Sequence, residues 1–368
     1  MNLGVFLYRG GSFRELKREG HDNLLVYYLK RYSKHFDNIF VFSYKDEERG
    51  DLPKNCVLVK NRYRIPLFLY QFLIPIINRK YIGKCGVFRV FHISGTIPAI
   101  ITKWVFGKKY VTTYGYLWLQ TRSGEKPGFW RKIEYPFGKI IEFLGLRKSE
   151  KVILTVKTTR DYVEKYIDRN KIEKIPNSVD TELFKPMKIK SGEKKRVVFI
   201  GRFSKIKNLY NLIEAFSDIG SGAELVFVGY GEEKEALKGH AKKMGTDLIF
   251  RGVIPREQIP TELNQSNVFI LPSFSEGQPK VLLEAMSCGL PCIVSDIPSL
   301  REIIKDGFNG FLCKTDSKSI KNCIKRVLDN PKNSEKVGKN ARKFIKNNFS
   351  ADVLIEREIK LLKKVGKR

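Results

Sequence analysis

Two glutamates with seven residues between them, Glu276 and Glu284, lie in the segment SFSEGQPKVLLEAMSCGLPCIVSD. Ahead of them the run NVFILPS reads as a strand ending at Ser273. A loop with Gly277 follows, and Pro279 stands where a helix would begin. Proline suits a first helical position because its missing N–H would be unpaired there anyway. Val281, Leu282 and Ala285 then fall on one helical side. This spacing predicts Glu276 on a strand-end loop and Glu284 in the second helical turn. Both can face the crevice at the carboxyl end of a parallel sheet, where ligands of open α/β folds bind. Free N–H groups at that helix start favour an anion such as a phosphate. The plainer account is a surface acid plus an acid stabilised by the helix dipole. The surrounding string of glycines and proline favours the functional account.

Arg202 and Lys207 have a related setting. The strand VVFIG ends at Gly201, Arg202 follows, and a helix is expected near Asn208 with Leu209, Leu212, Ile213 and Phe216 on its apolar face. A guanidinium, an ammonium and free backbone N–H groups around one loop suit a diphosphate. In the first half, Gly10 and Gly11 follow the first strand, where the backbone must turn sharply or approach a ligand closely. His92 closes the strand VFRVFH. Gly229-Tyr230-Gly231 lacks the third glycine of a dinucleotide fingerprint, and a tight strand-to-helix turn explains it. In IPNSVDTELFKP, Asn177 and Asp180 favour tight turns because their side chains bond nearby backbone N–H groups.

These strings resemble the GT-B glycosyltransferases, family 4 in particular. The resemblance rests on Glu276, Gly277, Glu284, Ala285, Gly289, Pro291 and Glu302, with Arg202, Lys207 and the IPNSVD segment in support. It implies two Rossmann-like α/β domains facing a central cleft, and transfer of a sugar from a nucleotide diphospho-sugar to an acceptor hydroxyl with retention of configuration. By the same resemblance Glu276 lies beside the donor sugar and Glu284 on the ribose hydroxyls. Gly277, Gln278 and Pro279 would meet the sugar or its phosphate. Arg202 and Lys207, after Gly201, would hold the departing diphosphate. Gly252 and Val253 would sit against the nucleobase, His92 would touch the transferred sugar, and Gly10 and Gly11 would form the acceptor loop. Tyr114 stands where family members often carry histidine, so local sugar or acceptor contacts differ. No Asp-x-Asp motif occurs, so no metal or other cofactor is expected and the cations at 202 and 207 take that part.

The elements that must position these residues alternate between short apolar runs and amphipathic segments, the pattern of parallel sheets flanked by helices. Strands are expected at 3–8, 39–43, 57–60, 87–92, 110–113 and 152–155, and a second series starts at Arg196. A Lys-, Pro- and Gly-containing connector divides the chain into residues 1–187 and 188–368, which the resemblance makes an acceptor-binding and a donor-binding domain. The last helix, with Arg357, Lys360, Lys363, Lys364, Lys367 and Arg368, returns to the first domain only if the resemblance extends that far.

Bulk properties set the partners. At 368 residues and 42% hydrophobic content the chain can bury two cores. The six cysteines lack a zinc-type pattern and read as reduced packing residues. No signal peptide is expected, and Ile65–Ile77 is too short to span a bilayer, which predicts a cytoplasmic protein. A net charge of +30 should attract polyanions, and without an RNA- or DNA-binding motif no nucleic-acid partner is expected. A nucleotide-sugar donor, a glycan or lipid-linked acceptor, and the anionic inner face of the cell membrane are the expected partners. Residues 62–81 read as an ordinary helix packed under the sheet, with a membrane-facing amphipathic element as the alternative. A sugar-nucleotide epimerase of the same fold type and a polyanion-binding scaffold without activity remain as rival readings.

Overall fold

The structure, a computed structural model, describes residues 1–13, 22–115, 128–189, 192–220 and 222–367. Of the residues named above, Arg368 lies outside them. The chain divides into two compact units, Met1–Pro176 with Ile355–Arg368, and Asn177–Leu354.

In the first unit β1 (Asn2–Phe6), β2 (Ile39–Phe42), β3 (Cys56–Val59), β4 (Cys85–Val90), β5 (Lys109–Tyr114), β6 (Lys151–Leu154) and β7 (Ile172–Lys174) form a parallel sheet in the order β3-β2-β1-β4-β5-β6-β7. The helices relevant below are α1 (Asp22–Tyr32), α2 (Leu67–Ile77), α3 (Thr96–Phe106) and α4 (Gly128–Lys148). Phe6, Phe42 and Phe88 fill the core, with the Phe6 and Phe88 rings stacked at 5.0 Å. The second unit is built on β8 (Lys195–Ile200), β9 (Ala223–Val228), β10 (Leu248–Gly252), β11 (Val268–Leu271), β12 (Cys292–Ser295) and β13 (Phe311–Cys313). Their order is β10-β9-β8-β11-β12-β13, again parallel. Helices α5 (Leu209–Ser217) and α6 (Lys280–Ser287) follow β8 and β11, and α7 (Ala351–Lys367) closes the chain. Every residue of β11 and β12 is buried, as expected of strands covered on both faces.

Three sequence expectations need correction. The chain divides after Pro176 rather than near 188, because the connector is already committed to the second core. Val179 bridges to Ser350, and Phe184 is fully buried among the second unit's apolar residues. Strands β7 and β13 escaped notice: each has three residues and lies at a sheet edge, and β7, Ile-Glu-Lys, has no apolar run to announce it. Finally, α2 does bury Tyr70, Gln71, Ile74 and Pro75, but its opposite face is left exposed rather than packed.

The C-terminal residues are held into the first unit by a buried polar contact. Glu358 of α7 pairs with Arg89 of β4 and accepts a hydrogen bond from the Tyr32 hydroxyl at 2.6 Å. Removing one member of such a buried pair typically costs about 3–5 kcal/mol, because the other charge is left without a partner. All six cysteines are buried free thiols, and burial pushes Cys56, Cys85, Cys288 and Cys323 up to about 12.

Candidate functional site

Both sheets change direction of strand order at one place, between β1 and β4 in the first unit and between β8 and β11 in the second. At such a point the loops leaving neighbouring strands diverge and open a crevice for a ligand. The residues singled out by sequence fall largely on these four loops.

In the second unit the loop after β8 carries Gly201, Arg202 and Lys207, and the loop after β11 carries Glu276, Gly277 and Gln278. The loops are knitted together. Phe274 N–H donates to the Ile206 carbonyl at 2.9 Å. Asn208, buried and in the left-handed region with φ 58°, donates from its side-chain amide to the carbonyls of Pro272 and Thr315 at 3.0 and 2.7 Å. Asparagine tolerates this conformation better than most residues. The result is that Lys207 Nζ lies 2.6 Å from Glu276 Oε1, which also accepts from Ser273 Oγ at 2.7 Å. Arg202 departs from this cluster: its guanidinium reaches Glu232 at 3.1 Å, and both side chains are more than half exposed. The structure thus brings Lys207 and Glu276 together and leaves Arg202 at the solvent edge of the same loop.

Glu284 lies on the first two turns of α6, and the helix begins at Lys280 with Pro279 just ahead of it in extended backbone, one residue later than the sequence implied. Its carboxylate is buried and sits 2.6 Å from Arg256 Nη1. Arg256 in turn stacks over the Phe184 ring at 4.9 Å. Gln278 is gripped from the other side: the Asn177 N–H donates to its side-chain oxygen, and Asn177 Nδ2 donates to its carbonyl at 2.7 Å. Asp180 behaves as an Asx residue should, accepting from the N–H groups of Glu182 and Leu183. Asn177 instead reaches across to the loop after β11.

Behind the β8 loop two chain segments run in contact. A Cβ at Gly229 would lie 2.0 Å from the Gly201 carbonyl oxygen, and one at Gly231 would lie 2.1 Å from that of Phe203. Both glycines therefore serve close backbone approach. Gly252 ends β10 at a register shift and offers its carbonyl to Gly229 N–H at 2.8 Å, with Val253 exposed beside it. A cavity of 570 Å³ at the far end of α6, lined by Pro186, Cys288, Gly289 and Arg342, contains none of these residues.

In the first unit, Gly10 (φ 81°) and Gly11 make a turn closed by Gly11 N–H to the Tyr8 carbonyl at 2.8 Å. His92 lies just past β4, two residues beyond the strand's last pairing. Its Nδ1 accepts from Ser94 N–H at 3.2 Å and lies 2.8 Å from Ser94 Oγ, which fixes the neutral ring as the Nε2–H tautomer. Arg9 N–H donates to Ser94 Oγ at 3.5 Å, so the loops after β1 and β4 adjoin. Tyr114 is turned inward: its buried hydroxyl bonds the Glu142 carboxylate, and burial holds the phenol protonated far above its usual range.

Sequence reasoning missed Arg256, Asn208 and Ser273. Arg256 is one cation among 69, and nothing local marks it as the partner of an acid 28 positions away.

Residues 180–344 match the family model described as Glycosyl transferases group 1. An uncharacterized glycosyltransferase of Methanocaldococcus jannaschii is 29% identical over 254 residues, 65% of this chain and 64% of that protein. The Escherichia coli UDP-Gal:alpha-D-GlcNAc-diphosphoundecaprenol alpha-1,3-galactosyltransferase is 35% identical over 206 residues, 51% of this chain and 52% of that protein. The matches thus span just under two thirds and about half of the relatives' lengths. Sucrose-phosphate synthase from Thermosynechococcus elongatus superposes with a TM-score of 0.82 at 18% identity, covering 99% of both chains. The fold they have in common is GT-B.

Proposed function

We propose that this chain, a GT-B protein whose second unit carries the region of the group 1 glycosyl transferases, moves a sugar from a nucleotide diphospho-sugar to an acceptor hydroxyl. The observation that carries the reading is the Lys207–Glu276 pair on two knitted switch-point loops, ahead of the start of α6. When the anomeric carbon leaves the β-phosphate oxygen, negative charge builds on the diphosphate. A fixed ammonium, the solvent-exposed guanidinium of Arg202 and the backbone N–H groups at the α6 start stabilise that charge without a metal. Glu276 keeps Lys207 in place until the donor arrives and then lies beside the transferred sugar. Glu284, oriented by Arg256, takes the ribose hydroxyls. Gly277, Gln278 and Pro279 line the sugar and phosphate, and Gly201 with Gly252 and Val253 lines the nucleotide. His92 and the Gly10–Gly11 turn serve the sugar and the acceptor. The product keeps the anomeric configuration of the donor.

The relative from Escherichia coli is named for a UDP-sugar donor and a lipid diphosphate acceptor, and both are the first candidates here. A lipid-linked acceptor would place the protein on an anionic membrane surface, in keeping with its charge of +30, in assembly of envelope polysaccharide or glycolipid. Among the described residues no helix is long and apolar enough to cross a membrane.

Thermal-shift screening against UDP-, GDP-, ADP- and dTDP-sugars tests the reading. A donor is expected to raise the melting midpoint of the native protein and not those of Glu284→Ala or Lys207→Ala. No response to any nucleotide sugar would count against a transferase. Release of nucleotide diphosphate only in the presence of acceptor separates transfer from epimerisation.

A further inference from the structure

Helix α2 has a composition that its surroundings do not explain. Its sequence, LFLYQFLIPII, is apolar all round but for Gln71, which ordinarily marks a fully buried helix. Only one side is covered: Tyr70, Gln71, Ile74 and Pro75 face the core. Phe68, Phe72 and Ile76, spaced four apart and so on one face, are exposed, Phe68 to 59%, with Leu69 beside them. Tyr63, at 73%, extends the surface ahead of the helix. Helix α3, which packs against α2, adds Trp104 and Val105 at its exposed end. Helix α4, against α3, exposes Tyr135, Phe137, Ile140 and Phe143. Scattered exposed apolar residues need no explanation, but a run of this size on one helix marks an interaction surface.

Exposed cations stand at both ends of α2: Arg62 and Arg64 before it, Arg79, Lys80 and Lys84 after it. An apolar helix face with aromatic residues and flanking cations is the chemistry of an element that lies in the interfacial layer of a bilayer. We propose that the exposed face of α2, with Trp104 and Val105 of α3, inserts into the headgroup region of an anionic membrane while the flanking cations engage lipid phosphates. The choice of a lipid surface over a second copy of the chain follows from charge. Two copies meeting here would each bring a net +30 and would oppose these same arginines and lysines. The position is also informative. The Cδ1 of Leu67, the first residue of α2, lies 3.8 Å from where a Cβ on Gly10 would be, so the apolar face starts at the glycine turn assigned above to the acceptor. An acceptor anchored in the same leaflet would have its reacting head delivered beside that turn. This last step rests on the transferase reading; the membrane surface does not.

Vesicle flotation tests the proposal, with phosphatidylglycerol–phosphatidylcholine vesicles and pure phosphatidylcholine vesicles, each at low and at 0.5 M salt, where screening removes most attraction between exposed charges (Debye length ~4 Å). The native protein is expected to float with the anionic vesicles and to keep part of that binding at high salt. Phe68→Asp/Phe72→Asp is expected to lose it by roughly tenfold or more, from the burial each phenylalanine contributes. Trp104→Ser provides a second variant on a different helix and should weaken flotation in the same direction. Equal melting midpoints show that the variants remain folded. Equal flotation of native and variant proteins, or no flotation of the native protein, would overturn the proposal. So would a native dimer in sedimentation that the double variant converts to monomer. A protein that floats but transfers no sugar removes the transferase reading and leaves this surface. One that transfers to a water-soluble acceptor but never floats does the reverse.

Discussion

The two switch points of this molecule share a topology and differ in chemistry. After β8 and β11 the loops carry opposite charges in contact, Lys207 with Glu276, and are cross-linked by Asn208 and Phe274. After β1 and β4 they carry a glycine turn and one imidazole whose tautomer is set by Ser94. The first arrangement suits a ligand that gains charge during reaction; the second suits a neutral hydroxyl-bearing ligand that needs room and a hydrogen bond. A parallel sheet supplies the crevice in both cases, and the loops decide what enters it.

The sharpest way to break this comparison is to remove charge from the second unit. Lys207→Ala should lower kcat by roughly two to three orders of magnitude, the loss typical when one group that stabilises a developing anion is deleted. Steady-state kinetics with the donor found by thermal shift would measure it. A loss under tenfold would mean that Lys207 serves only to hold Glu276. Next in size is a split between two arginines of the same unit. Arg256 is buried on Glu284, so Arg256→Met should destabilise the unit by about 3–5 kcal/mol by leaving the carboxylate unpaired. Arg202 pairs with Glu232 in solvent, and exposed pairs contribute about 0–1 kcal/mol. Arg202→Met should therefore leave the urea midpoint almost unchanged while slowing turnover. Equal effects of the two on stability would show that the difference in burial has no energetic meaning.

How much of this was legible beforehand follows the same division. The loops of the second unit announce themselves because strand, glycine, charge and helix follow one another within a few residues: Gly201 to Leu209, and Ser273 to Glu284. Local order in sequence becomes local order in space there. Arg256 could not be read, since its partner is set by where the segment after β10 meets α6. The grip of Asn177 on Gln278 also joins distant positions, and its neighbours indicated mainly a turn, with contact to the donor as the alternative. The boundary was misplaced for a similar reason. The lysines and glycine near residue 190 resemble a linker, while the tie of Val179 to Ser350 depends on a segment far down the chain. The exposed face of α2 was ambiguous because a helix apolar on both sides but for Gln71 reads the same whether its second side meets protein or something else.

The first unit offers a smaller effect that tests whether its switch point is functional at all. His92→Ala should slow transfer by roughly two- to tenfold, the value of one hydrogen bond of about 0.5–1.5 kcal/mol lost in the reacting complex. The loss should appear in kcat with the donor's binding-induced thermal shift intact, because the donor loops belong to the other unit. His92→Gln is the informative companion. Its side-chain amide can still donate a hydrogen bond from nearly the place of Nε2 but cannot act as an acid or base, so it should recover much of the activity if His92 only orients the sugar. If glutamine is as slow as alanine, the imidazole itself is needed. If neither variant is slower, the bond between Nδ1 and Ser94 N–H is a loop-stabilising contact, and the carboxyl end of β4 is structural rather than a counterpart to the charged loops after β8 and β11.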